Sequence, residues 1–207
     1  MKPVKNVLLR VFPFLFFILI STSLIAETRI LFLGDSITAG YGIEKTQAYP
    51  FLVDKALKKS GYKNIKVINA GISGSTSASA VSRLKWYLRI KPDILVLALG
   101  GNDGLRGLSV KEMKANLEKT IQLALQNKLR IILAGMEIPT NYGPKYMSDF
   151  RGVFRKLADN YPVTFMPFLL KDVGGIASLN LPDGIHPTPE GHQIIADNIM
   201  KYILETL

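Results

Sequence analysis

Past residue 26 the chain alternates between short apolar runs and longer segments whose apolar positions recur every three to four residues. The short runs predict five strands, at Arg29–Leu33, Ile65–Asn69, Ile94–Leu99, Arg130–Ala134 and Val163–Met166. The first carries four apolar residues in a row, Ile30 to Leu33, the mark of a strand buried on both faces. The longer segments predict helices. Leu52, Val53, Ala56 and Leu57 define one over Tyr49–Lys59, which Gly61 stops. Val81, Leu84, Trp86 and Leu88 define a second from about Ala78 to Arg89, and Met113, Leu117, Ile121 and Ala124 a third over Val110–Asn127. Two more run from about Met147 to Asn160 and from Pro189 to about Leu204, while Gly135–Tyr146, rich in Pro and Gly, reads as a loop. Strict β-α alternation argues for a parallel sheet with helices on both faces. No repeat, low-complexity tract or linker divides it, so residues 27–207 read as one domain.

The first 26 residues follow a different rule. Lys2, Lys5 and Arg10 precede a nearly unbroken apolar run from Val11 to Ile25, and small residues lead to Ala26. This is the three-part pattern of a secretory signal, with cleavage expected after Ala26 and export, to the periplasm, as the destination. Leu24 is large for its place three residues before the cut, so an uncleaved leader acting as an anchor is the alternative. An apolar run of roughly 15 residues is short for spanning a bilayer.

Composition narrows the chemistry. The 207 residues are 48% hydrophobic, a globular balance, and contain no cysteine. Disulfides, thiolate metal sites and a cysteine nucleophile are therefore excluded. The leader holds three of the 26 basic residues and none of the 16 acidic ones, so the rest of the chain stays strongly positive. That balance favours transient contact with anionic membrane surfaces or acidic substrates. Its lysines are scattered over predicted helices as a solvated face, and no nucleic-acid motif accompanies them. No nucleic-acid partner is expected, and oligomeric state is not legible.

In a parallel sheet the loops after the strands gather on one edge, where ligands bind. The first strand stops abruptly at Gly34-Asp35-Ser36. This is also ordinary turn chemistry, but a distant stretch changes its meaning: Asp183-Gly184-Ile185-His186-Pro187 holds one of only two histidines, three residues after an aspartate. A serine hydroxyl is a poor nucleophile until a base takes its proton, and the base needs a third group to orient it. Ser36, His186 and Asp183 supply all three. Acyl transfer also needs donors for the carbonyl oxygen as it turns negative. Suitable ones are the N–H of Gly74, in the Gly71–Gly74 loop, the Asn102 side-chain amide and the N–H of Ser36 itself. Against these stand plainer uses: Asn102 as a helix cap, Asp183 as a turn residue, Gly71 as a purely structural glycine. His192 reads as a helix-face residue. A metal site from His186, His192 and Asp183 lacks recognisable ligand spacing.

Gly34-Asp35-Ser36, Gly74, Gly100-Gly101-Asn102-Asp103 and Asp183-Gly184-Ile185-His186-Pro187 resemble the four blocks of the SGNH (GDSL) hydrolases. Their order and spacing, with Gly40-Tyr41-Gly42 and the run from Gly101 to Gly107, look like the bacterial periplasmic thioesterase, lysophospholipase and arylesterase branch. The resemblance implies a flavodoxin-like three-layer α/β/α sandwich with a five-stranded parallel sheet. It also implies a Ser36–Asp183–His186 triad and an oxyanion hole from Ser36, Gly74 and Asn102, needing no metal or cofactor. The expected substrate is a small acyl ester or thioester: lysophospholipid, acyl-CoA or aryl ester. In similar enzymes the segment matching Ile138–Tyr146 helps shape the acyl site. The rivals are a carbohydrate O-deacetylase of the same fold and a non-catalytic exported lipid-binding protein.

Overall fold

The computed structural model describes residues 27–207; the leader and its cleavage site lie outside the described residues. Five parallel strands form one sheet: β1 (Thr28–Gly34), β2 (Ile65–Gly71), β3 (Ile94–Ala98), β4 (Arg130–Ala134) and β5 (Thr164–Met166). They lie in the order β2-β1-β3-β4-β5. Ile30–Leu33 and Ile94–Leu97 have no solvent exposure, as two-faced apolar strands at the centre of a parallel sheet require. Register sets Ile30 against Ile94 and Gly34 against Ala98, so β1 and β3 end side by side.

Helices α2 (Tyr49–Lys59) and α7 (Pro189–Thr206) pack together on one face. α3 (Ala80–Tyr87), α5 (Val110–Gln126) and α6 (Pro144–Asn160) cover the other. The flavodoxin-like sandwich is thereby borne out. The order in which strands are added reverses between β1 and β3, and the crevice outside the carboxyl ends of strands at such a switch is where ligands bind. The buried hydrophobic residues described run from Ile30 to Ile203, contributed by all five strands and by the helices on both faces.

Three local differences from the sequence reading have physical causes. α6 starts at Pro144, three residues before the expected Met147, because proline suits the first helical position and Gly143 supplies the left-handed turn before it (φ 82°). The strand end that reads as turn chemistry, Gly34-Asp35-Ser36, opens a single helical turn, α1 (Ser36–Ala39), and β3 runs into another, α4 (Gly101–Leu105). α1 folds back so tightly that a Cβ on Gly71 would collide with the backbone of Ala39, which gives that glycine its structural reason. The third difference is His192. It is fully buried on the inner side of α7, where its Nδ1 accepts the N–H of Tyr49 at 3.2 Å. That amide sits in the first turn of α2, whose Ala48 cap has no side-chain acceptor, so a distant imidazole satisfies it.

Candidate active site

The site begins with what ends β1. Asp35 caps α1, its Oδ1 accepting the Ile37 N–H at 3.1 Å, and this sets Ser36 as the first helical residue. Ser36 is 8% exposed, with its hydroxyl directed at His186: Oγ lies 2.9 Å from Nε2. Nδ1 of the same ring lies 2.7 Å from Oδ2 of Asp183.

Asp183 and His186 share one turn. Oδ1 of Asp183 accepts the N–H groups of Ile185 (2.9 Å) and His186 (3.0 Å), leaving Oδ2 for the ring. Gly184 takes a left-handed backbone (φ 68°), and the turn is closed by Leu181 N–H donating to the His186 carbonyl at 2.7 Å. Backbone donation from His186, its ring, and the Ile185 N–H together hold the Asp183 carboxyl down to about 2. It stays a carboxylate throughout the range in which an imidazole titrates. The turn chemistry weighed against catalysis thus coexists with the ring contact: one oxygen builds the turn and the other meets the base.

Asn102 lies in the first turn of α4 and lines a groove of about 570 Å³ together with Ser36 and His186. Its amide donates one bond, at 3.1 Å, to the carbonyl of Ser75, and a second N–H remains. Gly74, left-handed at φ 77°, is the residue before Ser75, and its carbonyl accepts from Arg106 at 3.0 Å. The β2–α3 loop is also held by Asp103, buried at 4% exposure, whose carboxylate accepts both the N–H (2.8 Å) and hydroxyl (2.6 Å) of Ser77. The loops bearing Gly74 and Asn102 are therefore fastened to each other beside Ser36.

The groove is mostly apolar, with Leu105, Met136, Ile138 and Pro139 among its walls beside Phe168 and Leu170. Of the segment expected to shape an acyl site, Ile138, Pro139 and Thr140 reach the groove. Tyr142 and Tyr146 instead fasten the segment, donating to the carbonyls of Leu105 (2.7 Å) and Leu108 (2.8 Å). Among the described residues no three His, Asp or Glu side chains gather to hold a metal ion, and the His192 ring is turned to Tyr49 instead.

Sequence reasoning missed three neighbours of the site. Burial pushes the Asp35 carboxyl up to about 6, against the pull of the Ile37 N–H and of His186. The Tyr41 ring lies 4.5 Å from that of His186, and its place within Gly40-Tyr41-Gly42 was the available signal. Arg83 donates through Nη2 to the carbonyls of Gly34 and Ala70, close to the ends of β1 and β2.

A flavodoxin-ordered sheet carrying a serine, a histidine and an aspartate in hydrogen-bonded sequence at its carboxyl edge is the architecture of an SGNH-type serine hydrolase. The model of the GDSL-like lipase/acylhydrolase family matches residues 32–194, and the chain belongs to that family. The chain is 37% identical over 175 residues to esterase TesA of Pseudomonas aeruginosa, covering 84% of this chain and 87% of the relative. It is 33% identical to an arylesterase of Vibrio mimicus, covering 97% and 100%. With thioesterase 1/protease 1/lysophospholipase L1 of Escherichia coli K12 it shares 34% identity, covering 92% and 90%. A crystal structure of TesA superposes with a TM-score of 0.84 at 35% identity, covering 87% of this chain and all of that one. The serine-esterase class expected from the four blocks is borne out.

Proposed function

We propose that the protein hydrolyses acyl esters and thioesters through an acyl-enzyme on Ser36, with His186 as base and Asp183 as the group that orients it. The observation that carries this reading is the imidazole of His186, hydrogen-bonded to Ser36 on one nitrogen and to Asp183 on the other. His186 takes the Ser36 proton as Oγ attacks the carbonyl carbon. The Asn102 amide and the Ser36 and Gly74 N–H groups receive the negative charge on the carbonyl oxygen. His186 then protonates the departing alcohol or thiol, and water repeats the cycle on the acyl-enzyme. No step calls for a metal or cofactor. The apolar groove walls suit an acyl chain. The names of the relatives, arylesterase and thioesterase/lysophospholipase, support aryl ester, acyl thioester and lysophospholipid as the substrates to try first.

The same reading includes an exported protein, a leader over residues 1–26 and a catalytic domain over 27–207, whose excess of basic residues favours contact with anionic membranes. The test is a substrate panel of aryl esters, acyl thioesters, lysophospholipid and acetyl xylan, run on the parent and on Ser36→Ala. Turnover of the first three that vanishes with Ser36→Ala is the expected result. Preference for acetyl xylan identifies a carbohydrate deacetylase instead, and turnover that survives the substitution removes Ser36 as nucleophile.

A further inference from the structure

The groove occupies the carboxyl edge of the sheet; the opposite edge has chemistry of its own. There the chain enters β1, and the turns feeding β2, β3 and β4 lie next to one another, because Thr28 pairs with Ile65, Ile30 with Ile94 and Ile94 with Arg130. Each of those three turns carries an exposed lysine: Lys63, Lys91 and Lys128. α3 runs back toward this edge and carries in its last turn Trp86, the only tryptophan of the chain, 52% exposed. Arg89 lies over its ring, Cζ 3.4 Å from the centroid, and Tyr87 packs edge-on at 4.7 Å. Arg29 joins this corner to the start of β1 by donating to the Ile90 carbonyl at 2.7 Å.

Two features separate this edge from a merely solvated basic face. The carboxylates nearest the start of β1 are engaged locally, Glu27 with the Arg29 guanidinium at 3.0 Å and Asp93 with the Arg29 N–H at 2.8 Å. Asp159 lies in the last turn of α6 and Glu205 in the last turn of α7, and the α7 end borders the start of β4, where Arg130 donates to the carbonyls of Thr206 and Leu207. None of Lys63, Arg89, Lys91 and Lys128 forms an ion pair among the described residues. The second feature is conformational. Only three described non-glycine residues have a left-handed backbone, and two of them are Lys91 (φ 50°) and Lys128 (φ 61°), in adjacent turns of this edge. Lysine has no affinity for that conformation, which glycine or asparagine adopts at lower cost. Two lysines in adjacent turns on backbone that costs stability are not accounted for by local folding preference, which points to a use outside folding.

We propose that this edge, built on Trp86, Arg89, Lys91 and Lys128, is a peripheral docking surface for anionic phospholipid bilayers. Its chemistry matches: an amphipathic indole with a tyrosine beside it belongs at the headgroup level, and unpaired lysines and arginines are drawn to the negative surface. No helix among the described residues is long and apolar enough to cross a membrane. The residues before Thr28 join the fold at this same edge, so a chain tethered by an intact leader presents it to the bilayer. Docking turns the groove toward the aqueous side. This deepens the membrane-contact part of the proposed function and is independent of the ester chemistry.

The test uses the full chain as purified, with vesicles of phosphatidylglycerol and phosphatidylcholine, and of phosphatidylcholine alone. Binding to the first kind only, weakened by salt, with a blue shift of the Trp86 emission, is the expected result. Each basic residue removed lowers partitioning about fivefold, so Arg89→Gln/Lys91→Asn/Lys128→Asn together lower it about a hundredfold. Asparagine suits both left-handed positions, so the triple variant melts no lower than the parent. The vesicle-bound parent keeps its rate on a water-soluble aryl ester. The matched control, Lys55→Gln/Lys111→Gln/Lys119→Gln, removes equal charge elsewhere and is expected to bind several-fold better than the edge variant. Equal loss in the control, an unshifted emission, or a blocked active site on binding would overturn the proposal. Absence of esterase activity before vesicles are added would count against the catalytic reading alone.

Discussion

The imidazole of His186 stands 2.9 Å from the hydroxyl of Ser36 across 150 residues of chain, and its far nitrogen is 2.7 Å from a carboxylate only three residues away. One contact is set by the fold, the other by a local turn. With Nδ1–H given to Asp183, Nε2 is left as the acceptor facing Ser36, the tautomer a general base needs. Asp183→Asn removes the charge yet can keep the turn through its side-chain oxygen. We expect kcat on an aryl ester to fall by up to ~10⁴. The melting temperature should move by a few degrees at most, since the carboxylate is partly exposed. Steady-state kinetics beside thermal unfolding check both, and a kcat within tenfold of the parent would remove Asp183 from the triad.

Asn102 offers a second, separable test. One amide N–H is spent on the Ser75 carbonyl, so a single donor is available to a developing oxyanion. Asn102→Ala should lower kcat by roughly 10²–10³ with little change in KM, since the bond forms mainly in the transition state. If KM rose while kcat held, Asn102 would be a binding group for the ground state.

What the sequence made legible follows from the range of the interactions. Ser36 stood out because turn residues interrupt an apolar strand there, and Asp183 and His186 because one of only two histidines follows an aspartate by three residues; both are local signals, and the strands themselves followed from apolar runs. The start of α6 was written in Gly143-Pro144 but masked by the surrounding loop composition. Arg83 and His192 were opaque for a different reason. Their partners lie 49 and 143 residues away, and nothing in the neighbourhood of either residue shows that a buried carbonyl or amide waits for it. Asp35 stood in an ordinary turn motif, and its burial is a property of the assembled edge.

Arg83 holds the two strand ends from which Ser36 and the Gly74 loop depart, by donating to the carbonyls of Gly34 and Ala70. It touches no reacting atom; its effect on catalysis runs through the relative placement of those loops. Arg83→Met keeps the apolar bulk and removes the tie. A displacement of an ångström can cost about 10² in rate, so kcat should drop roughly ten- to hundredfold with KM unchanged. Stability should fall less than two lost hydrogen bonds suggest, because burying the guanidinium is itself unfavourable, as its lowered pKa records. A variant with the parent's kcat would show that the strand ends hold their places unaided.

Asp35 and His192 make opposite demands on pH. Burial raises the folded-state carboxyl of Asp35 from 3.8 to about 6, so the folded chain binds the extra proton in that window and loses stability as pH rises through it. Burial lowers the His192 imidazole from 6.5 to about 4, so there the unfolded chain binds the extra proton and stability grows with pH. Each shift corresponds to roughly 3 kcal/mol, and the windows overlap, so the two contributions largely cancel in the parent. Removing one should expose the other. Asp35→Asn keeps an oxygen for the Ile37 N–H, and its stability should climb by about 3 kcal/mol between pH 4 and 6.5, the trace of His192 alone. His192→Asn, with an oxygen for the Tyr49 N–H, should show the reverse, a decline from pH 4 to 6. Asp183, held near 2, titrates below this window and leaves both slopes untouched. Denaturant unfolding across the pH range decides the matter: slopes of opposite sign in the two variants are required, and a shared profile would mean that neither group titrates where its burial places it.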